Sequence, residues 1–193
     1  MKLNKDIRVA ISGKSGCGNT TVSSLLSKKL GVKLVNYTFR QLAKEKNMTL
    51  EQVIAAAKND DFYDKYVDKH QVELALEEPC ILGSRLAVWM LKNADLKVYL
   101  HADDETRANR VFMREGGDLN QIKEFTAMRD REDTSRYKSF YGIDNNDYQF
   151  VDIVIDVNSK TPEQIVDIII DKLEEKENKK SKITREFLLE NGF

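Results

Sequence analysis

Residues 12–21, Ser12-Gly13-Lys14-Ser15-Gly16-Cys17-Gly18-Asn19-Thr20-Thr21, have the types and spacing of a loop that wraps phosphate. Glycines let the backbone pass close to an anion and aim successive N–H groups at it, and a helix beginning at the loop's end adds its positive pole. Thr20 stands where a hydroxyl would ligate Mg²⁺. Gly13, Ser15, Gly16, Cys17, Gly18, Asn19, Thr20 and Thr21 are therefore the candidate contacts to a nucleoside triphosphate or a ligand of that shape. The plain alternative is a glycine turn leading into a helix.

One position departs from the template of Gly, four residues, Gly-Lys-Ser/Thr: asparagine, Asn19, replaces the lysine. An amide can donate a hydrogen bond to phosphate but cannot neutralise it, and charge-assisted bonds are roughly twice as strong as neutral ones. Another cation must supply the charge. Lys14, at the second position of the loop, is the first candidate, although it is equally consistent with an ordinary solvated lysine.

Moving a phosphoryl group requires cations around an anionic acceptor and around the group in flight. Arg40 and Arg85 each follow an expected parallel strand, at the sheet edge where α/β proteins bind ligands. Farther on, Arg107, Arg110, Arg114, Arg129, Arg131 and Arg136 lie across a helical pair interrupted by Gly116-Gly117. Arg107 and Arg110 are expected on a solvated helix face. Arg129, Arg131 and Arg136 cannot share one face, so two of them are expected to point inward.

The elements that must position these residues follow from hydrophobic periodicity. Short apolar runs at Ile7–Ile11, Lys33–Val35, Pro79–Leu82, Leu96–Leu100 and Val151–Ile155 alternate with helical patterns, the signature of βαβ units on a parallel sheet. A helix runs from Thr21 to a stop at Gly31. Thr49-Leu50-Glu51-Gln52 has the form of a capping box opening a short helix through Ala57, and Asp61 to Leu76 forms a longer one. Asp103 or Asp104 caps a helix to Glu115, and a second runs from Leu119 to Phe140 beyond the hinge-like Gly-Gly. Thr161-Pro162-Glu163 opens the last core helix. From Glu174 the chain turns almost wholly charged, either as a helix extension or as a frayed tail.

A length of 193 residues suits one α/β domain, and 41% hydrophobic with 33% charged residues suits a globular one. A formal net charge of -1 argues against a nucleic-acid polymer or a membrane surface as partner. Cys17 and Cys80 form neither a disulfide framework nor a metal-ligand spacing. With no apolar run long enough to span a membrane and no signal-peptide core before Ile7, the chain is expected in the cytoplasm.

Together these segments resemble the nucleoside monophosphate kinases, and most closely the archaeal-type cytidylate kinases. The resemblance spans residues 7 to about 173. It is carried by the loop from Ile11 to Val22, Phe39-Arg40-Gln41-Leu42-Ala43, Arg85-Leu86 with Trp89-Met90, and Ala94-Asp95-Leu96-Lys97-Val98. Arg114-Glu115-Gly116, Val154-Ile155-Asp156 and Arg136-Tyr137-Lys138-Ser139-Phe140-Tyr141-Gly142-Ile143-Asp144 complete it, the last being the most specific. It implies a P-loop NTPase fold, a five-stranded parallel sheet flanked by helices, within a domain of residues 1–175. A helical NMP-binding region would occupy about 36–78, a lid about 114–142, and a charged extension 176–193.

The resemblance further implies phosphorylation of CMP, with dCMP or UMP as further acceptors, by ATP with Mg²⁺ in a monomer or dimer. Arg40 and Arg85 would hold the acceptor phosphate, residues 13–20 the ATP phosphates, and Thr20 the metal. Lys14, Arg129 and Arg136 would act on the transferring group. Asp60, Asp61, Asp64 and Gln71 are polar candidates for reading the base. Two departures keep other readings open, namely another small anionic acceptor or a catalytically degenerate nucleotide binder. They are Asn19 and Gly83, the latter standing where the family usually has glutamate; Asp103 or Asp104 could replace that carboxylate.

Overall fold

The computed structural model describes residues 6–57 and 59–190. Its strands are β1 (Arg8–Ser12), β2 (Lys33–Val35), β3 (Cys80–Gly83), β4 (Leu96–His101) and β5 (Ile153–Asp156). They form one sheet in the order β2-β3-β1-β4-β5, every pair parallel. Adjacent residues on a strand face opposite sides of the sheet, so a parallel strand must be apolar on both. Val9 and Ile11 of β1 and Ile81 of β3 pack on one face, while Ala10, Cys80 and Leu82 pack on the other. The edge strand β5 is the exception: it buries Ile155 but leaves Val154 exposed.

Helices α1 (Asn19–Leu30) and α8 (Pro162–Glu190) cover the first face with Val22, Leu26, Ile165, Val166, Ile169 and Leu173. The second face meets α4 (Phe62–Glu77) and the single turn α5 (Ala87–Met90) through Ala75, Ala87 and Val88. Helices α2 (Phe39–Glu45) and α3 (Leu50–Ala57) pack with α4 around a separate small core of Tyr37, Leu42, Ala43, Val53 and Val67. The segment between β2 and β3 thus has its own apolar centre, attached to the sheet through α4.

Local signals set the helix ends. Thr49 and Gln52 exchange the two bonds of a capping box before α3. Asp103 caps α6 (Asp104–Glu115) by accepting from the Thr106 N–H at 2.7 Å. Gly116 and Gly117, both at positive φ, turn the chain into α7 (Leu119–Tyr141), which Asp118 caps. α8 continues past its last core residue, Leu173, as one helix to Glu190, so the charged segment extends the helix; residues 191–193 of the expected extension lie outside the described residues. No helix among the described residues is long and apolar enough to cross a membrane.

Candidate active site

β1 delivers the loop at the centre of the sheet's C-terminal edge, between β3 and β4, where the crossovers to either side diverge and leave a crevice. Gly18, at φ 97, precedes α1 without a side-chain cap, and the first turn of α1 has no acidic residue. Its N–H groups are left for an external anion. Gly16 is held at φ +86 against α6, where a Cβ would stand 2.7 Å from the Arg107 carbonyl oxygen. Only glycine satisfies both demands.

Asn19 turns its side chain back into the loop, Nδ2 donating to the Gly13 carbonyl at 2.6 Å, and its Oδ1 is buried without a partner. It braces the loop from within. The Lys14 side chain, by contrast, makes no hydrogen bond or ion pair among the described residues, and its charge acts on Asp104 and Asp144. The Thr20 hydroxyl is exposed and accepts from Asn36 Nδ2 at 3.3 Å. Among the described residues no cluster of three or more His, Cys, Asp or Glu could hold a metal by itself. The exposed Thr20 hydroxyl is a protein oxygen of the kind Mg²⁺ takes beside its waters and phosphate ligands.

Gly83 leaves no space for the family's acidic side chain: a Cβ there would lie 2.3 Å from Ser23 Oγ of α1. The suggested substitutes are engaged elsewhere, Asp103 as the cap of α6 and Asp104 in an ion pair with Arg107 at 2.6 Å.

Facing the loop across a narrow cleft is α7. The cleft is lined by Gly13, Lys14, Arg85, Tyr99, Asp130, Asp133 and Asn145. Asp133 is its hub: Arg85 Nη1 donates to Oδ2 at 2.7 Å and Arg136 Nη2 to Oδ1 at 2.5 Å. Arg136 also lies 3.6 Å from Asp64 of α4. Burial works against its charge, but Asp64 and Asp133 more than offset this and its pKa is raised. Arg129 makes no ion pair or hydrogen bond among the described residues; burial, and then the nearby positive charge of Arg85, lower its pKa. It is a partly buried cation short of a partner, the state in which an arginine most favours an incoming anion. Arg131 is exposed, so Arg129 and Arg136 are the two that turn inward.

Arg107 does not lie on a solvated face, as the sequence led us to expect. It is 1% exposed, and it donates to the Ser15 carbonyl at 3.1 Å and to Asp104 and Asp130 at 2.6 Å each. The reason is tertiary: α6 passes directly over Gly16, and the guanidinium fills the gap between the loop and α7. Arg110 is also partly buried and donates to the Val157 carbonyl at 2.6 Å. Arg40 departs from its expected place too. It sits exposed in the first turn of α2, its charge acts on Glu51 of α3, and it does not line the cleft.

The structure therefore brings Lys14 and Arg85 to the cleft beside the loop, with Arg136 on the Asp133 that holds Arg85 and Arg129 near Arg85, while Arg40 does not line it. A model of the cytidylate kinase-like family matches residues 8–159, and a curated relative, cytidylate kinase 2 of Borreliella burgdorferi, is 40% identical over 91% of this chain and 99% of its own. The chain belongs to the cytidylate kinase-like family. The cytidylate kinase of Archaeoglobus fulgidus is 38% identical over 90% of this chain and 98% of its own. Among solved structures, the shikimate kinase of Bacteroides thetaiotaomicron shares the fold at TM-score 0.60 with 13% identity, covering 87% of this chain and 98% of that one. Within this cytidylate kinase-like chain the residues that sequence reading missed are the carboxylates. Asp130 and Asp133 were legible only as helix charges, although Asp133 three residues before Arg136 has the spacing of a same-face ion pair.

Just before α4, Asp60 accepts from the Phe62 N–H at 2.9 Å and Asp61 pairs with Lys65, so both serve the start of the helix. Asp64 faces Arg136. One turn on, Asp68, not singled out from the sequence, accepts from the Tyr141 hydroxyl at 2.9 Å, and burial is the main cause that pushes its pKa up to about 6.

Proposed function

We propose that this chain transfers the γ-phosphoryl group of ATP to CMP, acting as a nucleoside monophosphate kinase. The reading is carried by one observation: the phosphate loop faces Arg85 across a single cleft, with Arg136 bonded to the same Asp133 and Arg129 close enough to feel the charge of Arg85, in a chain that matches cytidylate kinases over nearly its whole length. The same full-length likeness disfavours the readings of a different acceptor or a non-catalytic nucleotide binder.

In this reading the N–H groups of residues 13–20 cradle the ATP phosphates, and Arg85 holds the acceptor phosphate. That arginine exchanges its bond to Asp133 for one to the acceptor. An acceptor phosphate oxygen then attacks the γ-phosphorus in line as the bond to ADP breaks, and no protein nucleophile is required. Arg129 and Arg136 follow the charge onto the transferring group, where fixed donors in a dry cleft act most strongly. Mg²⁺, when bound, neutralises phosphate charge, with Thr20 its protein ligand. Residues 36–78 form the acceptor region and 114–142 the lid, hinged at Gly116-Gly117. Domain and extension divide near residue 175. The buried free thiols of Cys17 and Cys80 support a reducing, cytoplasmic setting.

A coupled assay of ADP formation tests the proposal. CMP is expected to stimulate ADP release from ATP well above the rate with ATP alone, and a rate that CMP leaves unchanged refutes it.

A further inference from the structure

Helix α4 carries Asp64, Asp68 and Gln71 on one face, since residues spaced by four and three lie one above another on a helix. Contacts to α7 orient that face: Asp64 toward Arg136 at 3.6 Å, and Asp68 beneath the Tyr141 hydroxyl at 2.9 Å. Arg136 is in turn bonded to Asp133, which holds Arg85. The face therefore begins at the cluster read above as the acceptor-phosphate site and leads away from it. Seven residues of helix, from Asp64 to Gln71, span about 10 Å, the scale of a nucleotide from its phosphate to the far edge of its base.

At the far end stands an unmet acceptor. Gln71 is 4% exposed, makes no hydrogen bond among the described residues, and its Oε1 is buried without a partner. A buried acceptor left unpaired costs about 1–3 kcal/mol, so its persistence points to a donor that arrives with a ligand. Its neighbour Asp68 is likewise acceptor-rich: Tyr141 engages Oδ2, and Oδ1 makes no recorded bond.

We infer that Asp68 and Gln71 read the base of the acceptor nucleotide, their oxygens accepting from the exocyclic amino group of cytosine, with Tyr141 positioning Asp68. Uracil carries a carbonyl at that position and would set oxygen against oxygen. Gln71 alone could discriminate little, because its amide can turn over and present a donor instead. Asp68 supplies the discrimination, because an ionised carboxylate presents acceptors only. The assignment rests on CMP being the acceptor.

The test is the ratio of kcat/KM for CMP to that for UMP, with calorimetric binding of each nucleotide, in the wild type, Asp68→Asn and Gln71→Met. Asp68→Asn puts an N–H₂ where cytosine needs an acceptor; it is expected to lower the CMP:UMP ratio by about 10–100-fold, mostly through KM, while the KM for ATP stays within about twofold. Gln71→Met is expected to lower it only about two- to threefold, and Tyr141→Phe likewise by less than Asp68→Asn. A merely structural role would lower the melting temperature and weaken both nucleotides alike, and this outcome overturns the assignment. So does a wild type that turns over CMP and UMP equally well, a result that needs no variant to fold. Wild-type protein that turns over neither nucleotide overturns the kinase reading itself, and the base assignment with it.

Discussion

Asp130 and Asp133 stand three residues apart on α7, and each meets arginine, yet they do opposite things. Asp130 pairs with Arg107, whose side chain is 2% exposed and is also bonded to the Ser15 carbonyl and Asp104. Asp133 pairs with Arg85, which lines the cleft, and with Arg136, which also lies near Asp64 of α4; the two side chains are 26% and 36% exposed. The first cluster ties the phosphate loop, α6 and α7 into one piece. The second holds two cations that water and ligand can reach, against a carboxylate a phosphate can displace. Burial and access, rather than residue type, separate a brace from a grip: removing a partner from a sealed ion pair costs stability, whereas removing a reachable cation costs ligand contact.

Arg129 gives this contrast its sharpest test, because it lies beside both carboxylates on the helix and pairs with neither. Arg129→Met keeps the side-chain volume and removes the charge. Its kcat for CMP phosphorylation is expected to fall by about 10³–10⁴, roughly 4–5 kcal/mol of transition-state stabilisation. Its melting temperature should hold or rise, since a buried, underpaired charge is gone. If kcat and melting temperature fell together, the division between brace and grip would be broken at this position.

Arg107→Met attacks the brace. It leaves Asp130 without its cation and the Ser15 carbonyl without its donor, a loss expected to cost about 3–4 kcal/mol. Chemical denaturation would show this as a lower midpoint at unchanged slope, with ATP binding weakened in step as Ser15 and Gly16 lose their support. At temperatures where the variant remains folded, its kcat should fall far less than that of Arg129→Met.

This sealed arginine also marks where sequence reading runs out. Strand runs such as Leu96–Leu100 and signals such as Thr49-Leu50-Glu51-Gln52 are local, so the strands and the longer helices were legible to within a residue or two, whereas α2 and the single turn α5 were not. Placing β1 between β3 and β4 depends on side chains packing across the sheet, which no local pattern states. Arg107 lies one residue from Ala108 and four from Val111, on the buried face of α6. A charge on such a face reads as solvated unless its partners are known, and these come from a loop 92 residues earlier and from the following helix. The loop itself was readable because its N–H groups act through backbone geometry. Asn19 was legible as an anomaly, but not as an internal strut on the Gly13 carbonyl.

Asp68 extends the comparison to α4, where a partly buried carboxylate accepts from the Tyr141 hydroxyl and forms no ion pair among the described residues. Its pKa rises from 3.8 to about 6, mainly through burial. Between those values the unfolded chain has released a proton that the folded chain keeps. Its contribution to stability therefore falls as pH rises across that window and stays low above it. Asp68→Asn retains an acceptor for Tyr141 and removes the titration. Relative to wild type it is expected to gain about 1–2 kcal/mol above pH 6 and nothing below about pH 4. Denaturation midpoints at pH 4, 5, 6 and 7.5 would reveal the gain, and a difference constant across them would assign the burial penalty elsewhere.

The smallest expected effect concerns the cation that Asn19 does not supply. Lys14 borders the cleft, its side chain makes no ion pair among the described residues, and its charge acts on Asp104 and Asp144, so it can swing onto a phosphate without breaking an ion pair there. A half-exposed lysine meeting phosphate is partly screened by water and salt, which limits its contribution to about 1 kcal/mol. Lys14→Ala is thus expected to raise the KM for ATP five- to tenfold, with an effect that shrinks as ionic strength rises, while Lys14→Arg retains most of the affinity. The same measurement on Asn19→Ala should instead show a salt-independent loss, because what disappears is a strut inside the loop and not a charge on its ligand. If the two variants responded identically to salt, Lys14 would join the brace, and the missing charge would have to come from across the cleft.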